Sequence, residues 1–151
     1  MIRDVVADDI SSVLKIEKES FSRPWSKEDF EIELTRKRSC FRLLEIEGEI
    51  CGYFVVYTVL DESELADIAV SPCHRGKGYG RLLLADAIKS AGKATVMFLE
   101  VAVENNSAIS LYETVGFEKV GNIKDYYGQG NDAYIMKLNI NDEVKDVEKQ
   151  Y

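Results

Sequence analysis

One histidine, His74, leaves no material for a histidine-rich metal cluster, and no C-x-x-C pair supplies the alternative: Cys40, Cys51 and Cys73 stand apart. No metal site is therefore expected. Three scattered cysteines also make no disulfide framework, which suits a reducing cytosol. The start Met1-Ile2-Arg3-Asp4 is short and charged, unlike a secretory signal. No apolar run approaches the ~20 residues needed to cross a bilayer, so no membrane partner is expected. There is no excess of positive charge: 19 Lys and Arg face 27 Asp and Glu, a net charge of -8. That argues against a nucleic-acid binder, which meets phosphates with a basic face. It tolerates a cationic substrate. Repeats, linkers and low-complexity blocks are also missing.

What is present suits one compact domain of 151 residues, with 46% apolar and 30% charged residues. Ile2 to Val6 is a short strand, and Asp8 or Asp9 can cap the helix after it. That helix carries Ile10, Val13, Leu14 and Phe21, and Pro24 stops it. Ser26 and Asp29 have capping-box spacing for a second helix, with Phe30 and Leu34 on one face. Strands are expected over Phe41 to Ile46, Ile50 to Leu60 with a bulge near Gly52, and Leu65 to Val70. A helix then runs to Gly92, followed by a strand from Thr95 to Val101 and a helix from Asn106 to Val115. Phe117 to Ile123 and Ala133 to Leu138 are the last strands. The order predicts an α/β (α+β) fold: one mixed sheet with helices on both faces, a single three-layer domain over residues 1–138. A loose polar tail is expected over 139–151.

The most informative stretch joins a strand to a helix: Ile68-Ala69-Val70, then Arg75-Gly76-Lys77-Gly78-Tyr79-Gly80-Arg81. A helix start carries unpaired N–H groups and a partial positive charge. Glycines let the backbone approach a pyrophosphate, and the basic residues add charge. A Walker A loop would need Ser or Thr after Gly76-Lys77, and a dinucleotide fingerprint would need a different glycine spacing. On strand alternation Glu100 shares a face with Val96 and Phe98, where partial desolvation makes it a candidate general base. Tyr112 falls on the apolar stripe of its helix, a place for a core tyrosine.

The R-x-x-G-x-G pattern at a strand-to-helix junction, with this element order, resembles the GCN5-related N-acetyltransferases over residues 2 to 138. The resemblance implies acetyl-CoA as cosubstrate. The N–H groups and basic residues from Arg75 to Arg81 would hold its pyrophosphate, and the backbone of Ile68, Ala69 and Val70 its pantetheine arm. The run Leu99-Glu100-Val101, Asn105, Ala108, Leu111-Tyr112, Gly116-Phe117 is similar to the ribosomal-protein alanine N-acetyltransferase (RimI) branch. There the matching Glu is the base, the matching Tyr the acid, and the matching Asn touches CoA. Phe21-Ser22-Arg23-Pro24-Trp25-Ser26 and Asp125-Tyr126-Tyr127 resemble its acceptor-side segments and imply contacts from Trp25 and Tyr126. Trp25 also fits a hydrophobic staple, and the tyrosines a surface loop. Ala102 departs from the Arg that the family often has after Glu-Val. The implied acceptor is the N-terminal amine of a ribosomal protein, alanine first. A small-molecule amine, and a non-catalytic acyl-CoA-binding module, remain open alternatives.

Overall fold

The computed structural model describes residues 1–141. Strand β1 (Ile2–Asp4) leads through a 3-10 turn into helices α1 (Ile10–Ser20) and α2 (Lys27–Thr35). Strands β2 (Ser39–Ile46), β3 (Glu49–Val59) and β4 (Glu62–Val70) follow. After a second 3-10 turn come α3 (Tyr79–Ser90), β5 (Val96–Ala102), α4 (Asn106–Val115), β6 (Glu118–Ile123) and β7 (Ala133–Asn139). This is the expected order of strands and helices.

Local chemistry explains the element ends. Ser26 and Asp29 form the reciprocal box at α2: the Ser26 N–H donates to Asp29 at 2.8 Å, and the Asp29 N–H donates to Ser26 Oγ at 3.1 Å. Such a cap is worth about 1 kcal/mol. Asp9 does a different job from the expected helix cap. Its carboxylate accepts from the Val6 N–H at 2.9 Å and pairs with Arg3 at 2.8 Å, so it closes the turn before α1.

The sheet has the order β1-β2-β3-β4-β5-β7-β6. β4 and β5 pair in parallel, and the other neighbours in it are antiparallel. Two bulges bend it. Leu44 pairs with Gly52 and Glu45 with Ile50, which leaves Cys51 extra, next to the expected site. Val55 pairs with Asp67 and Val56 with Leu65, which leaves Ala66 extra. Glycine is required at 52, because a Cβ there would stand 2.7 Å from both the Ala69 oxygen and a Leu83 methyl.

Helices α3 and α4 cover one face, where Leu83, Leu84 and Ile109 pack with Phe54, Met97 and Leu99. Helices α1 and α2 cover the other, where Val13, Ile16 and Phe30 pack with Phe41, Tyr53 and Val55. The fold is thus a three-layer sandwich. Its last strand outruns the expected boundary: Asn139 still pairs with Val96, and Ile140 is buried in the core. The expectation for the tail beyond 141 lies outside the described residues.

Candidate active site

β4 and β5 share only three rungs, Glu62–Val96, Ser63–Met97 and Glu64–Phe98. Past Glu64 the strands diverge, β4 continuing to Val70 and β5 to Ala102. A wedge opens between them. The edge of β4 facing it, which includes Ile68, Ala69 and Val70, has no strand to pair with, and unpaired backbone groups are what an extended amide-bearing arm can satisfy.

The glycine turn lies at the end of this wedge. Gly76 and Gly78 have φ of +79° and +84°, and no atom lies within 4 Å of where a Cβ would be. Both are left-handed positions that favour glycine, and the backbone there is open to approach. Gly78 caps α3 without a side-chain hydrogen bond, so the first N–H groups of a twelve-residue helix are not closed off by a cap side chain. Lys77 is exposed beside them, and Tyr79 and Gly80 begin the helix. Arg75 and Arg81 are turned elsewhere. The Arg75 guanidinium donates to the Val70 carbonyl at 3.0 Å and to Ser20 Oγ at 3.1 Å. Arg81 donates to Thr114 Oγ1 at 3.5 Å. Asn105 caps α4, its side-chain oxygen accepting from the Ala108 N–H at 3.3 Å. The turn fits a diphosphate chemically, with backbone donors supplying most of the fit.

On β5, Met97, Leu99 and Val101 point into the core and Glu100 takes the opposite face, half-buried. Burial, then the nearby Glu64 carboxyl, raises its pKa above the ordinary value, the direction a general base needs. Tyr112 is buried on α4, its ring centre 5.7 Å from that of Phe117. Burial, reinforced by Asp67 and Tyr127, raises its pKa and keeps it a phenol. A protonated phenol and a carboxyl of raised pKa are the pair an amine acylation requires.

Trp25 occupies the position before the α2 cap, with its ring 5.1 Å from that of Phe30. This is the hydrophobic-staple geometry. Tyr126 is 45% exposed and stands perpendicular to Tyr127, ring centres 4.9 Å apart. Its pKa is raised by burial and then by Glu100 and Glu64, which places it beside those carboxyls. Burial and Tyr126 push Tyr127 up to about 12. The Arg23 guanidinium lies over Gly128, where a Cβ would stand 2.5 Å from it. The segment between α1 and α2 therefore touches the loop between β6 and β7.

Four residues of this region carry no sequence motif. Glu17 is only 1% exposed, and its carboxylate accepts from the Tyr53 hydroxyl at 2.5 Å and the Trp25 N–H at 2.9 Å. Asp67 is buried beside it, and one of its oxygens, Oδ2, has no hydrogen-bond partner. Burial and the Glu17 carboxyl hold Asp67 well above the usual carboxylate range. A proton on Asp67 shared with Glu17 accounts for both observations. With Glu64, these residues make the acceptor side of the wedge acidic. The only signal for Glu17 in the sequence is a charge on the buried stripe of α1.

The fold also gathers Glu49, Cys73 and His74, with ligand atoms within 4.8 Å of one another, a cluster that sequence spacing does not reveal. His74 Nε2 lies 3.5 Å from Glu49, and its Nδ1 lies 3.2 Å from Cys73 Sγ. It lies outside the wedge chemistry. Among the described residues no helix is long and apolar enough to cross a membrane.

This wedge and glycine turn define an acyl-CoA transferase architecture, and residues 10–117 match the model of the acetyltransferase (GNAT) family. The chain belongs to that family and is an N-acetyltransferase. It is 33% identical to the ribosomal protein bS18-alanine N-acetyltransferase of Escherichia coli (strain K12), over 92% of this chain and 97% of that one. The crystal structure of the Escherichia coli ribosomal-protein-S18-alanine N-acetyltransferase matches with a TM-score of 0.84 at 32% identity, covering 93% of each chain. A Salmonella typhimurium protein solved with acetyl-CoA shares the fold: TM-score 0.79, 21% identity, 94% of each chain.

Proposed function

We propose that the chain moves the acetyl group of acetyl-CoA to the N-terminal α-amine of a small-subunit ribosomal protein whose first residue is alanine, in the cytosol. The observation that carries this reading is Glu100, half-buried on the face of β5 turned away from the core beside Glu64, and Tyr112, a buried phenol on α4, supports it. The names of its relatives support the acceptor.

In this reading the N–H groups of Gly76 to Gly80, that of Tyr79 among them, and the exposed Lys77 hold the pyrophosphate, while Arg75 and Arg81, bonded to Val70, Ser20 and Thr114, brace the turn. The backbone of Ile68, Ala69 and Val70 aligns the pantetheine arm, and Asn105 flanks it. Trp25 and Tyr126 form the acceptor wall. An α-amine has an ordinary pKa near ~8 and arrives mostly as ammonium at neutral pH. Glu100 takes one proton, and the freed nitrogen pair attacks the thioester carbonyl. As the carbon–sulfur bond breaks, Tyr112 gives its proton to the sulfur, and the second proton lost from the new amide nitrogen restores the Tyr112 hydroxyl.

The test is incubation with acetyl-CoA and a peptide copying the alanine-led start of bS18, read by mass spectrometry. One acetyl group on the α-amine is expected. Acetylation of small free amines with none on the peptide would overturn the acceptor and favour a small-molecule substrate. CoA binding without turnover of either would favour a non-catalytic module.

A further inference from the structure

The last rung of the β4–β5 seam sets Glu64 opposite Phe98. Residues two apart on a strand share a face, so Glu100 stands beside Phe98, one step into the wedge. Glu64 is its diagonal neighbour across the seam, near enough for its charge to bear on the Glu100 carboxyl. Like charges so placed weaken a sheet. The groups facing them do not neutralise this. Asp67 lies further along β4, Tyr126 and Tyr127 come from the β6–β7 loop, and Lys137 on β7 stands opposite Phe98 with its ammonium 5.9 Å from that ring's centre. Among the described residues no salt bridge joins Lys137 to Glu64 or Glu100 where the strands part. Such an arrangement does little for the fold but suits an incoming cation.

We propose that Glu64 is a positioning residue for Glu100: from the last rung of the seam it fixes the Glu100 carboxyl at the mouth of the wedge and shares the proton taken from the acceptor ammonium. This rests on Glu100 being the base. The ammonium N–H bond breaks and its electron pair stays on nitrogen. The proton bridges a Glu100 oxygen and a Glu64 oxygen before it leaves to solvent. The nitrogen pair forms the new C–N bond, the C–S bond breaks, Tyr112 protonates the sulfur, and the second N–H proton leaving the new amide nitrogen restores the Tyr112 hydroxyl.

Glu64 is exposed, so Glu64→Gln keeps the shape without straining the fold. The measurement is kcat/KM for the alanine-led peptide against pH. Without its negative neighbour Glu100 loses its proton more easily, so the acidic limb moves to lower pH by about 1 unit, the scale set by two charges ~4 Å apart in a watery site. The KM for acetyl-CoA stays unchanged, and Glu64→Asp returns the limb toward the wild-type position. A profile lowered uniformly, with its limb unmoved, would overturn the proposal, because that is what a structural role alone produces. Glu100→Gln is run in parallel. If it abolishes turnover while the Glu64→Gln limb stays put, only the role of Glu64 fails. If Glu100→Gln keeps wild-type turnover, the base assignment fails and the proposal falls with it.

Discussion

The two walls of the wedge are made of different material. Toward α3 the wall is backbone: two left-handed glycines, the uncapped first turn of a helix and the open edge of β4. Toward α1 and the β6–β7 loop it is acidic and phenolic side chains: Glu17, Glu64, Asp67, Glu100, Tyr126 and Tyr127. The first wall carries the exposed Lys77, with Arg75 and Arg81 bracing it from behind, and the second is acidic. A net charge of -8 thus conceals a division that matches a diphosphate on one side and an ammonium on the other. A backbone wall binds a constant chemical group whatever the pH, whereas a titrating wall can move protons.

That contrast can be broken most severely at Glu100. Glu100→Gln is expected to lower kcat by about 1,000-fold while acetyl-CoA still binds, measured by steady-state turnover and calorimetry. Equal losses of both would mean the walls are not separable. Tyr112→Phe removes one hydroxyl from a packed ring and should cost about 100-fold in kcat with Tm nearly unchanged. A large fall in Tm instead would make it a core residue only. Gly78→Ala forces a side chain into a left-handed position and should weaken acetyl-CoA binding about tenfold, the cost of ~1–2 kcal/mol of backbone strain. Lys77→Ala, on the same wall, should cost only about threefold, as an exposed charge does. Reversal of those last two would show that side chains build the donor wall.

Asp67 sharpens the comparison through stability. Its pKa is raised in the fold, so its favourable contribution is complete below the unfolded value and is lost as pH rises through the folded one. At pH 7 it is a burden. Asp67→Asn supplies a donor toward Glu17 and should stabilise the protein by about 1–3 kcal/mol at pH 7, with less gain at pH 4, read by denaturant unfolding.

The donor wall was legible in the sequence because its requirements are local. Left-handed turns demand glycine, and Gly76 and Gly78 announce themselves. The order of strands and helices was legible too, since periodicity and caps such as Ser26–Asp29 act over a few residues. The acceptor wall depends on which strands meet. Glu62-Ser63-Glu64 has little strand propensity, so β4 was expected to begin at Leu65, and Glu64 fell outside it. Asp67 lay within an expected strand, but only the bulge at Ala66 and the approach of α1 bring it to Glu17. Glu100 and Tyr112 stood out mainly through family resemblance, as their patterns alone also fit a strand end and a core ring. Ile140 was missed because a polar neighbourhood hid one buried side chain.

The three-rung seam also has a kinetic meaning. A parallel pair needs a crossover, here the chain from Leu65 through α3 to Thr95, whereas the hairpins β2–β3–β4 close over two-residue turns and β6–β7 over the loop 124–132. Loop-closure entropy delays the long connection. The amides of Val96 to Phe98 should therefore acquire hydrogen-exchange protection late in refolding, after those hairpins. The wedge has no existence before its seam, so an unfinished chain holds neither wall in register with the other. Transferase activity then reports completed folding.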